Sequence, residues 1–363
     1  IHTFVEPKST FEKLGFDYAF LGEADLGILK LADGQTPESI AGVYGPGTFI
    51  KSTGEVVSPL DCLPFPDWSL CDYKLYSYPT FARIKIKCSS SLDMMMGRGC
   101  VYRCNFCAYS ALSKVRFYSA EYLIEQVEYM NREFGVDGIY FIDSTIGNNK
   151  KLIQEFCEMM IHQRISERVA WLANIRSDQV DEKLLKLMWH AGCRYLFYGF
   201  ESGSQQVLDL MSKRINIEDN YKVAELHNKL RFPYNASMIL GYPGEREEDI
   251  QHTLNFLRET RPPSIGINWY VPLPGSQDYK KLKAEGIIRT EDPEEWRRIG
   301  EVNSCRVYAD VAEDRFRELF AKAQKLAYAD IPRTVNSAWV TNNSAQISRP
   351  VECETLRENG YSC

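Results

Sequence analysis

Between residues 83 and 282, short apolar segments alternate with longer amphipathic ones, and this alternation constrains the fold more than any other feature. The short segments are rich in β-branched and aromatic residues, which is typical of parallel strands buried on both faces. They predict six strands, at 91–96, 138–142, 170–175, 195–200, 234–240 and 265–271. The longer segments predict five helices, at 120–134, 150–164, 182–191, 218–230 and 247–259. Ser119 and Asp181 precede two of these helices and are predicted N-caps.

Strand–helix units in series predict an α/β fold with a parallel sheet and right-handed crossovers. Six units are too few for the full eight-unit barrel of about 250 residues. The count therefore predicts a partial (βα)6 TIM-like barrel. In such folds the functional groups lie at the carboxyl-terminal ends of the strands.

Three cysteines, Cys100, Cys104 and Cys107, follow the first predicted strand with the spacing Cys-x3-Cys-x2-Cys. Thiolates this close together can converge on an iron–sulfur cluster. Three ligands would leave one iron of a four-iron cluster open, and an open coordination position is typical of catalytic metal centres. A zinc site with a distant fourth ligand, and plain redox or core cysteines, are the alternatives.

Composition narrows the class of protein. The net charge of -6 over 363 residues argues against a nucleic-acid partner, which usually requires a basic patch. No apolar stretch reaches the roughly 18 residues of a membrane span, and the start of the chain does not resemble a signal peptide. The eleven cysteines are an odd number and mostly isolated, so a reducing cytoplasm is expected. A first residue of Ile suggests an excerpt or a processed chain.

The flanking regions differ from the alternating part. At the N-terminal end a short strand at 16–21 and a helix ending at residue 32 precede a Gly/Pro-rich meander at 42–47 and a proline-bearing linker at 63–68. After residue 282 a polar region leads to a helical pattern at 310–327. We therefore expect three parts: residues 1–70, the barrel at 83–285 and a C-terminal helical extension at 286–363.

Four segments, in this order, resemble motifs of the radical S-adenosylmethionine (SAM) superfamily. They are the cysteine loop at 98–107, a GxESGS segment at 199–204, a GxPGE segment at 241–245 and a segment similar to PxPGT at 272–276. The resemblance implies that Cys100, Cys104 and Cys107 hold a [4Fe-4S] cluster whose open iron binds SAM. It also implies that reductive cleavage of SAM produces a 5′-deoxyadenosyl radical, with flavodoxin or ferredoxin as the reductant.

A subgroup of that superfamily carries a cobalamin-binding domain of Rossmann type before the barrel. Residues 2–4, 17–25 and 63–66 resemble the end of that domain and its linker. The resemblance thus implies an N-terminal remnant within residues 1–70, with the upstream strands of the domain missing. Cobalamin is the additional cofactor that this subgroup implies.

The resemblance also implies roles for residues around SAM. Phe106 would lie against adenine, and Asp143 and Ser144 would lie near the methionine amino group. Arg176 would pair with the methionine carboxylate, because a guanidinium suits a carboxylate. The remaining candidates are Glu201 for the ribose or amine, Ser202 for SAM or for a helix cap, Lys213 near the carboxylate, and Gly241, Pro243 and Gly244 for the turn beside adenine.

The leading functional interpretation is radical chemistry on a small-molecule, natural-product or sugar-like substrate, and the subgroup resemblance favours cobalamin-dependent C-methylation as the reaction. A cobalamin-independent dehydratase or epimerase of a sugar-like substrate is the first alternative. A non-catalytic metal-binding scaffold is the second. An RNA-modifying radical enzyme is disfavoured by the acidic charge.

Overall fold

A computed structural model describes residues 15–49, 53–77, 88–111, 114–288 and 306–328. Residues 2–4 and 83–87 and most of the predicted extension 286–363 lie outside this part of the chain. The described strands are β1 (Ala19–Phe20), β2 (Val43–Gly45), β3 (Thr48–Phe49), β4 (Ser91–Met94), β5 (Gly97–Arg98), β6 (Arg116–Phe117), β7 (Gly138–Phe141), β8 (Ala170–Ile175), β9 (Cys193–Glu201), β10 (Tyr234–Leu240) and β11 (Ser264–Trp269).

The described α-helices are α1 (Asp25–Ala32), α2 (Ala120–Phe134), α3 (Lys150–His162), α4 (Glu182–His190), α5 (Gln205–Leu210), α6 (Ile217–Leu230), α7 (Glu247–Thr260), α8 (Gln277–Ala284) and α9 (Glu313–Tyr328). None of the helices in the described residues is long and apolar enough to cross a membrane. The chain divides into two compact units. The first comprises Ile1–Pro64, Gly99–Phe117 and Val271–Cys305, and the second comprises Phe65–Arg98, Tyr118–Tyr270 and Arg306–Cys363.

The second unit contains a six-stranded parallel sheet in the order β11-β10-β9-β8-β7-β4. Every predicted strand of the alternating region is present, and each pairs with its neighbour along the chain. The predicted helices between them are also confirmed. This sequential order is the one expected when each crossover helix returns the chain to the next position in the sheet. The predicted α/β class is therefore correct, and the domain boundaries at 70, 83 and 285 stay predictions.

The helices begin where the sequence places capping groups. The Ser119 hydroxyl accepts from the backbone N–H of Tyr122 at 3.1 Å, and the Asp181 carboxylate accepts from that of Leu184 at 2.8 Å. Each bond satisfies one of the donors left free in a first helical turn. Helix α2 ends at Phe134 and is followed by Gly135, whose φ of 64° is the left-handed conformation that glycine adopts without strain.

One face of the sheet is covered by helices. Phe141 and Trp171 both contact Phe156 of α3, with ring centroids 5.5 and 5.8 Å apart, and Phe200 contacts Phe256 of α7 at 5.5 Å. Side chains alternate along a strand, so the residues between these point to the opposite face. We call this second face, which includes Asp93, Tyr140, Asn174, Phe197 and Asn268, the open face.

Helix α9 belongs to the same unit as the sheet. Its Phe316 and Phe320 pack on Trp269 of β11, with ring centroids 4.7 and 5.1 Å apart. Of the predicted C-terminal helical extension, this helix and the residues before it from 306 onward are described. They cover the edge strand of the sheet.

The first unit contains a small antiparallel sheet in the order β1-β2-β3. Arg116 lies among the N-terminal residues of this unit, where its guanidinium donates to the Glu23 carboxylate and to the Val57 carbonyl. The described strands are too short to identify a Rossmann-type domain, so that origin stays a prediction.

Candidate functional site

The cysteine loop lies in the first unit and is shaped by its own backbone. The backbone N–H of Cys107 donates to the Cys104 carbonyl at 3.1 Å, and the Arg103 guanidinium donates to the Cys100 carbonyl at 2.7 Å. Cys104 is buried, Cys100 and Cys107 are half-buried, and none of the three forms a disulfide. The loop thus presents a thiol donor set of the kind that holds an iron–sulfur cluster.

Two further features constrain the conformation of this loop. Gly99 has a φ of 95°, and a Cβ there would lie 2.8 Å from the Lys114 carbonyl oxygen, so only glycine fits. The Asn105 carbonyl accepts from the backbone N–H of Asp278 in the first turn of α8, at 3.1 Å. Phe106, predicted to contact adenine, is half-buried on the same loop.

Within the described residues, no three or more His, Cys, Asp or Glu side chains are positioned to share one metal ion. This observation concerns a single-ion site such as zinc, in which all ligands bind the same atom. The thiolates of a cluster bind different irons. The donor set therefore fits a cluster by its chemistry, and its role as ligand stays a prediction.

Asp143 lies two residues after the end of β7. Its side chain fixes the backbone between β4 and the cysteine loop. Its carboxylate accepts from the backbone N–H groups of Met96 and Gly97, at 2.9 and 2.8 Å. Burial raises the pKa of Asp143 to about 6, against the lowering effect of these hydrogen bonds. The structure thus gives Asp143 an anchoring role, and Ser144 lies half-buried beside it. Contacts of either residue with SAM stay predictions.

Arg176, directly after β8, is held by protein groups. Its guanidinium makes two bonds of 3.0 Å to the Asp178 carboxylate and donates to the Lys213 carbonyl at 2.9 Å. Only 5% of its surface is exposed. Asp178 thus already pairs with the guanidinium that was predicted to bind the methionine carboxylate, and that role stays a prediction.

Glu201 and Lys213 are two predicted site residues that the structure brings together. Lys213 Nζ lies 2.8 Å from Glu201 Oε1, and both side chains are almost fully buried. Glu201 ends β9 with a φ of 65°, a conformation that is costly for a residue with a side chain. Because such strain persists only where the surroundings impose it, we infer that Lys213 helps hold the carboxylate in place.

Gly199 makes room for this pair. A Cβ at Gly199 would lie 2.2 Å from Glu201 Oε1 and 3.1 Å from Lys213 Nζ. The first glycine of the GxESGS segment is therefore needed by the carboxylate two residues later, rather than by the backbone conformation.

Ser202 has a structural environment. It is fully buried, and its hydroxyl accepts from the backbone N–H of Ser204 at 3.1 Å and contacts the Thr253 hydroxyl of α7 at 3.3 Å. The backbone N–H of Gly203 also donates to Thr253, at 2.9 Å. The turn after β9 is thus fastened to α7. The predicted alternative for Ser202 was a cap of the following helix, but the N-cap residue of that helix, α5, is Ser204.

The turn after β10 contains Gly241, Pro243 and Gly244. Both glycines have left-handed φ values, 93° and 85°, and a Cβ on Gly241 would lie 2.9 Å from the Phe316 ring. The backbone of this turn is held by Glu245, a residue that was not among the predicted site residues. Its carboxylate accepts from the backbone N–H groups of Gly241 and Tyr242.

Glu245 is fully buried, and its Oε1 has no hydrogen-bond partner in the described part of the chain. Burial raises the pKa of Glu245 to about 8, and the nearby Asp249 adds to the effect. The sequence signal that could have identified Glu245 is an acidic residue directly after a glycine-rich turn. Its position suggests a support for the turn rather than a ligand-binding group.

Comparison with known proteins agrees with these features. Residues 94–257 match the family profile described as the radical SAM superfamily. An uncharacterized methyltransferase of Pyrococcus horikoshii is 23% identical over 321 residues, which is 85% of this chain and 66% of the relative. An anaerobic magnesium-protoporphyrin IX monomethyl ester cyclase of Cereibacter sphaeroides is 27% identical over 222 residues, which is 60% of this chain and 35% of the relative.

Among solved structures, the radical SAM methyltransferase TsrM from Kitasatospora setae, with cobalamin and a [4Fe-4S] cluster bound, superposes with a TM-score of 0.60 at 16% identity. The match covers 80% of this chain and 58% of TsrM, and it shows the fold. The chain thus spans between about a third and two thirds of the length of these relatives. Over residues 94–257, a little under half of its length, the chain is similar to the radical SAM superfamily.

Proposed function

We propose that this chain is the radical SAM part of an enzyme and that Cys100, Cys104 and Cys107 hold its [4Fe-4S] cluster. The observation that carries the proposal is that the region matching the superfamily, 94–257, contains all three cysteines in one short loop. When bound, the cluster supplies the electron that cleaves SAM to a 5′-deoxyadenosyl radical. In this proposal the six-stranded sheet is the partial (βα)6 barrel.

The residues of the chain bind and orient SAM at the carboxyl-terminal ends of the strands. Glu201, held by Lys213 at 2.8 Å, is a fixed carboxylate that accepts hydrogen bonds from ribose hydroxyls or from the methionine amine. The turn at Gly241 and Gly244 lets backbone groups approach adenine closely. Phe106 stacks on the adenine ring. Placement at the ends of β9 and β10 keeps Glu201 and the glycine turn in a fixed geometry before SAM arrives.

The reaction that this proposal favours is cobalamin-dependent C-methylation of a small molecule. Support comes from the methyltransferase of P. horikoshii and from TsrM, whose structure contains cobalamin. A second candidate, radical chemistry without methyl transfer, is supported by the relative named as a cyclase. The protein needs an electron donor, for which flavodoxin or ferredoxin is suitable.

Formation of 5′-deoxyadenosine tests the first part of the proposal. The protein is reconstituted anaerobically with iron and sulfide, and product is measured after addition of SAM and dithionite. We expect product from the wild type and from Cys71→Ala, which alters an exposed cysteine outside the loop, and none from Cys104→Ala. Equal product from all three proteins would refute the assignment of the ligands.

Methyl transfer requires a separate test. The reconstituted protein is incubated with hydroxocobalamin, freed of unbound cobalamin, and examined for the cobalamin absorption bands. Retained cobalamin, together with a label passing from methyl-labelled SAM to cobalamin that Ti(III) citrate has reduced to the Co(I) state, supports methylation. SAM cleavage by a protein that binds no cobalamin would favour the second candidate.

A further inference from the structure

Asp93 is a carboxylate in the middle of a strand, where acidic residues are disfavoured. Its neighbours Leu92 and Met94 are both 3% exposed, whereas Asp93 is exposed on the open face of the sheet. Within the described residues Asp93 has no hydrogen-bond or ion-pair partner, and partial burial raises its pKa. A carboxylate in this position, with no partner among the residues that the structure describes, is suited to a ligand.

Aromatic rings lie beside this carboxylate. Asp93 is in register with Tyr140 of β7, and Tyr140 contacts Phe197 of β9 with ring centroids 5.7 Å apart. Phe197 in turn contacts Tyr195 at 4.9 Å. The Tyr140 hydroxyl is occupied, because it donates to Asn174 Oδ1 at 3.1 Å. The rings therefore offer their faces and edges rather than a free hydroxyl.

The open face carries no positive charge along its strands. By alternation its positions contain neither lysine nor arginine in any of the six strands, which the structure describes in full. The charge of Glu201, at the end of β9, is compensated by Lys213. The polar residues elsewhere on this face are neutral amides and hydroxyls, such as Asn268 and Ser237, which bond to each other at 3.0 Å. Asp93 thus carries a negative charge that no lysine or arginine at the strand positions of the open face compensates.

We propose that Asp93, together with the rings of Tyr140 and Phe197, binds an amino group of the substrate in its protonated form. An ammonium ion gains from a carboxylate and from aromatic faces at the same time. Phosphorylated and carboxylated groups are disfavoured at this position, because the strand positions of the open face contain no lysine or arginine to meet them. The inference names the substrate class of the proposed radical site, and it rests on that proposed function.

Three probes of the same shape and different charge test the proposal: phenethylamine, phenethyl alcohol and phenylacetate. Their binding to the reconstituted protein is measured near neutral pH by ligand-observed NMR. We expect the wild type to bind the amine about tenfold more tightly than the alcohol, and phenylacetate most weakly. Asp93→Asn should lose this preference, and Asp93→Glu should retain it. Glu225→Gln, an exposed acid on α6, should behave as the wild type.

Two results would overturn the proposal: no preference for the amine in the wild type, or the same preference in Asp93→Asn. Formation of 5′-deoxyadenosine by a wild type without the preference would refute this inference and leave the proposed function standing. A preference that depends on Asp93, in a protein that never cleaves SAM, would refute the proposed function and leave the amine site standing.

Discussion

The ion pair between Glu201 and Lys213 gives the sharpest prediction about stability. The Lys213 and Glu201 side chains are 7% and 9% exposed, respectively, and Lys213 Nζ lies 2.8 Å from Glu201 Oε1. Replacing Lys213 with methionine leaves a carboxylate buried without its partner. Such a loss typically costs about 3–5 kcal/mol of unfolding free energy. At about 2–4 °C per kcal/mol for larger domains, the thermal midpoint should fall by roughly 6 °C or more.

The double variant separates the pair from its parts. Glu201→Gln with Lys213→Met removes both charges, so its loss should be clearly smaller than the sum of the two single losses. Additive effects, within about 0.5 kcal/mol, would refute the idea that the pair is coupled. The control is Arg168→Met, which breaks an ion pair to Glu128 whose side chains are 45% and 41% exposed, and it should barely change the midpoint.

Three further predictions concern the turns around the strand ends. Gly199→Ala should weaken SAM binding about tenfold or more, measured by calorimetry, because the methyl group displaces Glu201; Gly266→Ala, where a Cβ has ordinary contacts, should not. Asp143→Asn should lower the unfolding free energy by about 1–3 kcal/mol, measured by denaturant titration, since one of two backbone donors loses its acceptor. Burial raises the pKa of Glu245 from its ordinary 4.5 to about 8. The wild type should therefore lose stability relative to Glu245→Gln as the pH rises from 4.5 to 8, and the difference should level off above pH 8. Parallel melting profiles of the two proteins from pH 5 to 9 would contradict this.

The strands and their order were readable from the sequence because buried parallel strands are apolar runs of limited length. The five helices between them were readable from their amphipathic patterns, and two of them also from the N-caps Ser119 and Asp181. The short helices α5 and α8 were missed. Helix α5 has only six residues, too few for a helical period to show.

The site was less readable than the fold. The motifs led to Glu201 and Lys213 separately, yet their contact depends on the strained backbone of Glu201 and on the space at Gly199. Arg176 is a plausible carboxylate ligand in the sequence, and only the folded chain reveals that Asp178 already binds it. Asp93 went unnoticed because one acidic residue in an apolar run is read as an exception until its neighbours in space are known.

The central claim is that the three cysteines hold a cluster to which SAM binds. Electron paramagnetic resonance of the reduced, reconstituted protein tests it most directly, with iron content measured on the same sample. We expect about four irons per chain and a cluster signal that changes when SAM is added, both lost in Cys104→Ala. A signal that ignores SAM, or iron that persists unchanged in the variant, would contradict the account.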